Sequence, residues 1–425
     1  MHEFSQSGRH PVNLRRLYTG GTDRSEAVKV FLSAGEASGD HYGAMILREL
    51  QRRLPAVQGF GLGGLEMAEA GMERVVRAED VAVMGITEVI RHMPHIYGEY
   101  RRLVRALQQQ RPAVAVLIDF PDVNLRLARK LKALQVPVVY FVSPQLWAWK
   151  RGRLRWVQER VDRMMVIFPF EEEFYRARGV RAEFVGHPLA ELPLPTSSRE
   201  EFAQRYGLDA DRPWVALLPG SRRKEVLANL PEMLTAAQAL GPGYQYLLPV
   251  ASTLPSEFVA GLLGGVVVTL VDDARAALHH ARGSVVASGT ATVQAAVIGN
   301  PFVVVYRVSR LTYQAARRLV RYPAEIPAPA DEDGNLPIAM VNLIAGRRVV
   351  PELLQERFTG AQVAATLLPL LQDSPARRQM LADLAEVRAR LQPAESNPIE
   401  RVCDTVEGFL RAAERVAVRK QPGNV

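Results

Sequence analysis

The chain has 425 residues, 48% of them hydrophobic, with one cysteine and a formal net charge of +8. That length exceeds the roughly 250–300 residues at which a single core stops growing, so two domains are expected. The lone Cys403 excludes an internal disulfide and a cysteine-based metal cluster, as in a reducing, cytoplasmic compartment. The positive balance fits an anionic partner, yet no zinc-finger spacing, RNP signature or dense basic tail marks a nucleic-acid module.

Residues 1–27 are polar and aperiodic, lack the apolar segment of a signal peptide, and read as a disordered tail ahead of the fold. No apolar run approaches the roughly 18 residues needed to cross a bilayer, so no membrane span is expected. From residue 28 onward, apolar runs rich in Val, Ile and Phe recur at 28–33, 113–118, 137–142, 163–168, 213–218, 245–249, 265–271, 284–287 and 302–306. Helical patterns at 43–53, 98–109 and 123–134 fall between several of them. Such alternation, with strands apolar on both faces, predicts an α/β fold with helix-covered parallel sheets. Prolines and a Ser/Thr cluster in "FVGHPLAELPLPTSS" (184–198) interrupt this texture and place a stiff connection there. The organisation expected is one domain over 28–190, a second over 191–372, and helices over 373–425 that pack back toward the first. Two such halves imply a cleft, with ligands beyond the carboxyl ends of the strands.

Three strand-to-helix turns stand out: "SAGEASGD" (33–40), "LLPGSRRKEV" (217–226) and "ASGTAT" (287–292). Each exposes helix N-terminal amides beside small residues, an arrangement that suits phosphate, although one such turn alone is equally well plain turn chemistry. Two in the second half, one followed by Arg222, suggest a diphosphate held by amides and a guanidinium. In "LIDFPDVN" (117–124), Asp119 closes an apolar run and Asp122 follows a proline. A carboxylate at a strand tip could take a proton from a sugar hydroxyl, because partial burial raises its pKa toward working pH. The competing reading for either residue is a helix cap.

Trp147, Trp149 and Trp156 interleave with Lys150, Arg151, Arg153 and Arg155, and Arg317, Arg318 and Arg321 sit near Leu311, Leu319 and Val320. Both stretches suit an anionic membrane interface, or are core tryptophans and an ordinary amphipathic helix. Asp331 and Asp333 read as a solvated loop, and His41, His187, His279 and His280 lack metal-ligand spacing.

Taken in order, "SAGEASGD", "AVMGITEVI" (82–90), "IDFPDVN", "YFVSPQLWAW" (140–149), "FPFEEEFY" (168–175), "FVGHPL" (184–189), "LLPGSRRKEV", "ASGTAT" and "NLIAGRRVVPELLQ" (342–355) resemble the lipid-A-disaccharide synthase family. The resemblance implies an inverting glycosyltransferase of the GT-B type, with two Rossmann-like domains facing each other across a cleft. It implies transfer of 2,3-diacylglucosamine from UDP-2,3-diacylglucosamine to the 6-hydroxyl of 2,3-diacylglucosamine 1-phosphate. No metal and no cofactor is implied, nor any nucleic-acid partner. The expected place is the cytoplasmic face of a Gram-negative inner membrane, as a peripheral protein on an anionic surface, with an oligomer open. Asp119 is then the general base, and Glu36 orients a substrate. Substrate binding falls to Gly35, Ser38, Gly39, Asp40 and Asp122 in the first half. In the second half it falls to Gly220, Ser221, Arg222, Glu225, Ser288, Gly289, Thr290, Ala291, Thr292 and Gln294. Family members generally carry Glu where this chain has Gln294, and an amide accepts hydrogen bonds without charge assistance.

Overall fold

The computed structural model describes residues 27–81, 86–393 and 397–419. Nearly all of the 1–27 tail, and the side chains of the 82–90 motif, lie outside the described residues. The chain divides into two compact units. Among the described residues, one comprises those up to Leu146, Lys150–Pro188 and those from 397 onward; the other comprises Trp147–Trp149 and Leu189–Pro393.

The first unit holds a parallel sheet of strands β1 (Val28–Ala34), β2 (Val57–Gly63), β3 (Glu73–Arg77), β4 (Val114–Ile118), β5 (Val138–Phe141), β6 (Arg163–Val166) and β7 (Ala182–Phe184). Their spatial order is β3-β2-β1-β4-β5-β6-β7. The second unit repeats the plan with β8 (Trp214–Leu218), β9 (Gln245–Pro249), β10 (Thr269–Val271), β11 (Gly283–Ala287), β12 (Phe302–Tyr306) and β13 (Glu352–Leu354), in the order β10-β9-β8-β11-β12-β13. Both are Rossmann-like domains. Helices on both faces explain why every residue of β4, β8 and β11 is buried and why these strands read as unbroken apolar runs. Within the first core, Phe31 and Phe60 meet edge to face at 5.4 Å. In each sheet the order reverses between two neighbours, β1 and β4 in the first and β8 and β11 in the second, where Val30 pairs Val114 and Val215 pairs Gly283. Outside the carboxyl ends of such a pair, diverging connections leave a crevice.

The C-terminal stretch 373–425 does not act as one block. Helix Pro375–Leu391 belongs to the second unit and packs on the helices Thr290–Ile298, Met340–Ala345 and Gly360–Leu371. Helix Pro398–Arg419 belongs to the first and lies on helix Ala37–Arg53 and on β4 and β5. Its buried stripe is Ile399, Val402, Cys403, Val406 and Leu410, the three-and-four spacing of one helix face. Arg53 reinforces the contact with ion pairs to Asp404 at 2.5 Å and Glu407 at 3.1 Å. None of the described helices is long and apolar enough to cross a membrane.

His187, at the end of the first unit, is buried with its ring 5.4 Å from Phe168, and burial pushes its pKa down to about 3. Above pH 6.5 the ring is neutral in both folded and unfolded chains. As the pH falls below 6.5 toward 3, the unfolded chain binds a proton that the native site refuses. Stability therefore drops by up to about 1.4 kcal/mol per pH unit from this group. Thermal melts of the chain and of His187→Gln at pH 7.5 and pH 5 check this: acidification is expected to cost the variant less.

Candidate active site

The turn after β4 is unusual in its backbone. Asp119 and Phe120 both adopt left-handed conformations, with φ of 43° and 48°, a costly pair for residues other than glycine. Four hydrogen bonds hold the turn. The Asn124 amide donates to the carbonyls of Ser33 (3.3 Å), Ile118 (3.1 Å) and Asp119 (2.8 Å), and Tyr140 Oη donates to the Asp119 carbonyl at 2.6 Å. Ser33 Oγ completes the staple by donating to Asn124 Oδ1 at 2.6 Å, so the tips of β1 and β4 are tied together. Burial, then the charge on Asp119, keeps the Tyr140 phenol well above its usual range, and hence a donor. Gly35, buried at the end of β1, makes room for the Phe120 ring: a Cβ there would lie 2.4 Å from it.

The Asp119 carboxyl is half-buried in this crevice. Its pKa is raised to about 6, first by burial and then by the negative Glu36, against a lowering hydrogen bond from the Phe120 backbone. Glu36 is exposed at the N-cap of helix Ala37–Arg53 and is thus brought within electrostatic reach of Asp119. Ser38 is exposed on the first turn of the same helix, and Gly39 is buried there against Ala34 and Ile118. Asp40 turns elsewhere. Its carboxylate accepts from the amides of Gly64 (2.7 Å), Glu66 (3.0 Å) and Met67 (3.2 Å), capping helix Leu65–Glu69, so its place is structural. Asp122 neither caps its helix, which begins at Pro121, nor lies buried; it is exposed and ion-paired with Arg153.

In the second unit, Gly220 follows β8 with φ of 120°, a conformation that demands glycine, and Glu225 folds back over it. Glu225 Oε2 accepts from the amides of Ser221 (3.1 Å) and Arg222 (3.3 Å), while Oε1 meets Arg222 Nη1 at 3.3 Å. This carboxylate already occupies two amides expected for a diphosphate and is committed to the turn. It also aims the guanidinium of the exposed Arg222. Asn229 donates to the Pro219 carbonyl at 2.9 Å, and Thr253 Oγ1 to that of Ser221 at 2.8 Å, fixing the loop.

The turn after β11 is different. Gly289, with φ of 154°, has open space where a Cβ would stand, and among the described residues the amides of Gly289, Thr290 and Ala291 carry no hydrogen bond. Ser288 uses its amide on the Val305 carbonyl at 3.0 Å, and buried Thr292 donates its hydroxyl to the Gly289 carbonyl at 2.8 Å; both shape the turn. Gln294 is half-buried one turn into helix Thr290–Ile298. Tyr306, at the end of β12, feels the charges of both Glu225 and Arg222.

A family model described as lipid-A-disaccharide synthetase matches residues 30–405. The chain belongs to the lipid-A-disaccharide synthase family. A lipid-A-disaccharide synthase of Acidobacterium capsulatum is 54% identical over 403 residues, covering 91% of this chain and 98% of that protein. One of Koribacter versatilis is 51% identical over 398 residues, covering 92% and 100%. Among solved structures, the S. aureus MnaA–UDP co-structure aligns with a TM-score of 0.60 at 10% identity, covering 94% of this chain and 100% of that one. A calicheamicin glycosyltransferase aligns at 0.55 and 16%, covering 93% and 100%. These distant likenesses speak for the fold. Membership in the family makes the chain a glycosyltransferase.

Several residues of the motifs shared with the synthase family are architectural. In "NLIAGRRVVPELLQ", buried Glu352 accepts from the amides of Ile338 and Ala339 and from Asn342 Nδ2, and pairs with Arg348 at 3.3 Å. Gln355 holds Val308 twice, Oε1 accepting from its amide at 3.1 Å and Nε2 donating to its carbonyl at 3.2 Å. Trp147 is buried with its ring 5.7 Å from Tyr322 in the second unit, whereas Trp149 is half exposed and Trp156 lies under the Arg160 guanidinium at 4.8 Å. Asp331 turns back on its own loop, accepting from the amides of Asp333 (3.1 Å) and Asn335 (2.7 Å). Sequence reasoning passed over Ser33, Asn124, Tyr140 and Tyr306. Only Asn124 carried a signal, an amide five residues beyond a strand-tip carboxylate.

Proposed function

We propose that this glycosyltransferase moves 2,3-diacylglucosamine from UDP-2,3-diacylglucosamine onto the 6-hydroxyl of 2,3-diacylglucosamine 1-phosphate, giving the β-1,6-linked disaccharide 1-phosphate and UDP. The observation that carries the chemistry is Asp119, a carboxylate with a pKa near 6 at the crevice of the first sheet. Ionised at pH 7 to 8, it accepts the proton of the attacking hydroxyl while oxygen bonds to the anomeric carbon and the bond from that carbon to the diphosphate breaks. Attack from the face opposite UDP inverts the centre. Glu36 orients the acceptor, and its charge adds to burial in raising the Asp119 pKa. Ser38 lines this end, and Gly39 serves it by letting the helix start close on Ala34 and Ile118.

The departing diphosphate gathers negative charge, which the open amides of Gly289, Thr290 and Ala291 and the Arg222 guanidinium stabilise; preorganised donors of this kind contribute a few kcal/mol each. Glu225 serves by holding Ser221 and Arg222 in place. Arg222→Ala is expected to weaken UDP binding about ten-fold, read by titration calorimetry; equal affinity would remove Arg222 from the donor site. Gln294 faces the ribose in this reading, and Gln294→Glu is expected to tighten UDP about five-fold by restoring a charged acceptor.

With both acylated substrates, the purified protein is expected to release UDP and form disaccharide. Turnover of the UDP-sugar without acceptor would instead indicate an epimerase-like reaction. Acylated substrates and a net charge of +8 support our reading of a peripheral protein at the cytoplasmic face of the inner membrane.

A further inference from the structure

Helix Arg310–Leu319 buries none of its residues. Its inner side is anchored: Ser309 caps it, accepting from the Thr312 amide at 3.2 Å, and Tyr313 Oη donates to Asn335 at 2.5 Å. The opposite side presents Leu311, Ala315 and Leu319, spaced four apart and so aligned in one row, with Leu311 81% and Leu319 71% exposed. An ordinary surface helix turns its apolar row inward; this one turns it out.

The row is bordered by cations. Arg310, Arg317 and Arg318 are exposed on the helix and Arg321 follows it. Exposed Glu356 lies 3.8 Å from Arg310, and Arg317 donates at 3.4 Å to the carbonyl of Asp333, whose own carboxylate is paired with Arg357 at 3.1 Å. Outward leucines flanked by arginines match an interface with apolar depth and negative headgroups, where the leucines enter the acyl boundary and the guanidiniums meet phosphates.

We infer that helix Arg310–Leu319 is the element that docks the second unit on an anionic lipid bilayer, lying in the plane of the headgroups with Leu311 and Leu319 inserted. This rests on the peripheral placement proposed above, but it is tested without turnover.

Full-length protein is sedimented with vesicles of phosphatidylcholine alone and of phosphatidylcholine with 30% phosphatidylglycerol. The expected result is a clear preference for the anionic vesicles and a partition coefficient at least about ten-fold lower for Leu311→Ser/Leu319→Ser. Arg317→Gln/Arg318→Gln is expected to lose roughly five-fold per arginine on anionic vesicles only. UDP binding by calorimetry stays unchanged in every variant, reporting an intact fold. Undiminished vesicle binding by the serine variant overturns the inference, as does failure of the parent chain to bind vesicles. A dimer that the serine substitutions split, seen by light scattering with vesicle binding unaltered, would identify the row as an interface between copies and also overturns it.

Discussion

Asp119→Asn is expected to lower kcat by at least about 10³ and, at pH 8, to melt at a higher temperature than the parent chain. The first effect follows from removing the proton acceptor. The second follows from linkage. The folded pKa of Asp119 is about 6, above its value of 3.8 in the absence of the fold. Between those values the native chain keeps a proton that the unfolded chain has released, so the stabilisation is present at low pH and disappears as the pH rises through about 6. Above that, the ionised carboxylate in its crevice costs roughly 2 kcal/mol after allowance for its partial exposure. The neutral amide avoids that cost, raising the melting midpoint by a few degrees. Calorimetric melts at pH 5 and pH 8 follow this dependence: the variant's advantage should be about half as large at pH 5 as at pH 8. The parent's turnover should rise through the same window as the base ionises. A variant that retains turnover would assign the base elsewhere.

Asn124→Asp, nearly identical in volume, is expected to be the most damaging change in the first unit. It places carboxylate oxygens against the carbonyls of Ser33, Ile118 and Asp119, which now receive an amide. Lost hydrogen bonds and an uncompensated buried charge together cost about 3–5 kcal/mol. Protonating the new acid relieves part of this, so denaturant melts should show the loss shrinking from pH 8 to pH 5. Loss of the staple also frees the left-handed Asp119–Phe120 pair to relax, so kcat is expected to fall further than KM changes. Equal stability of variant and parent at pH 8 would show that the Asn124 amide does not hold the turn.

The two sheets were legible because helices cover both faces and the central strands had to be apolar throughout. β2 was not legible: its sequence "VQGFGLG" carries glycines where the chain packs too closely for side chains, a Cβ on Gly61 lying 2.0 Å from the Leu32 carbonyl oxygen. β3, β7 and β13 are short strands at or next to a sheet edge and left too little apolar pattern. At the site, the residue types at Asp119, Arg222 and Gly289 pointed to their turns. What those types could not say was which partner each carboxylate had already taken. Asp40 is claimed by amides 24 to 27 residues away, and Glu225 by the turn it follows. Likewise the pattern over 310–319 showed an amphipathic helix, but only the packing shows that its leucines face outward.

Helix Pro398–Arg419 completes a unit whose first strand begins at Val28. During synthesis on the ribosome, the second unit is therefore made whole while the first still lacks the piece that packs on helix Ala37–Arg53. The first unit, begun before the second, can close only after the second has been made in full.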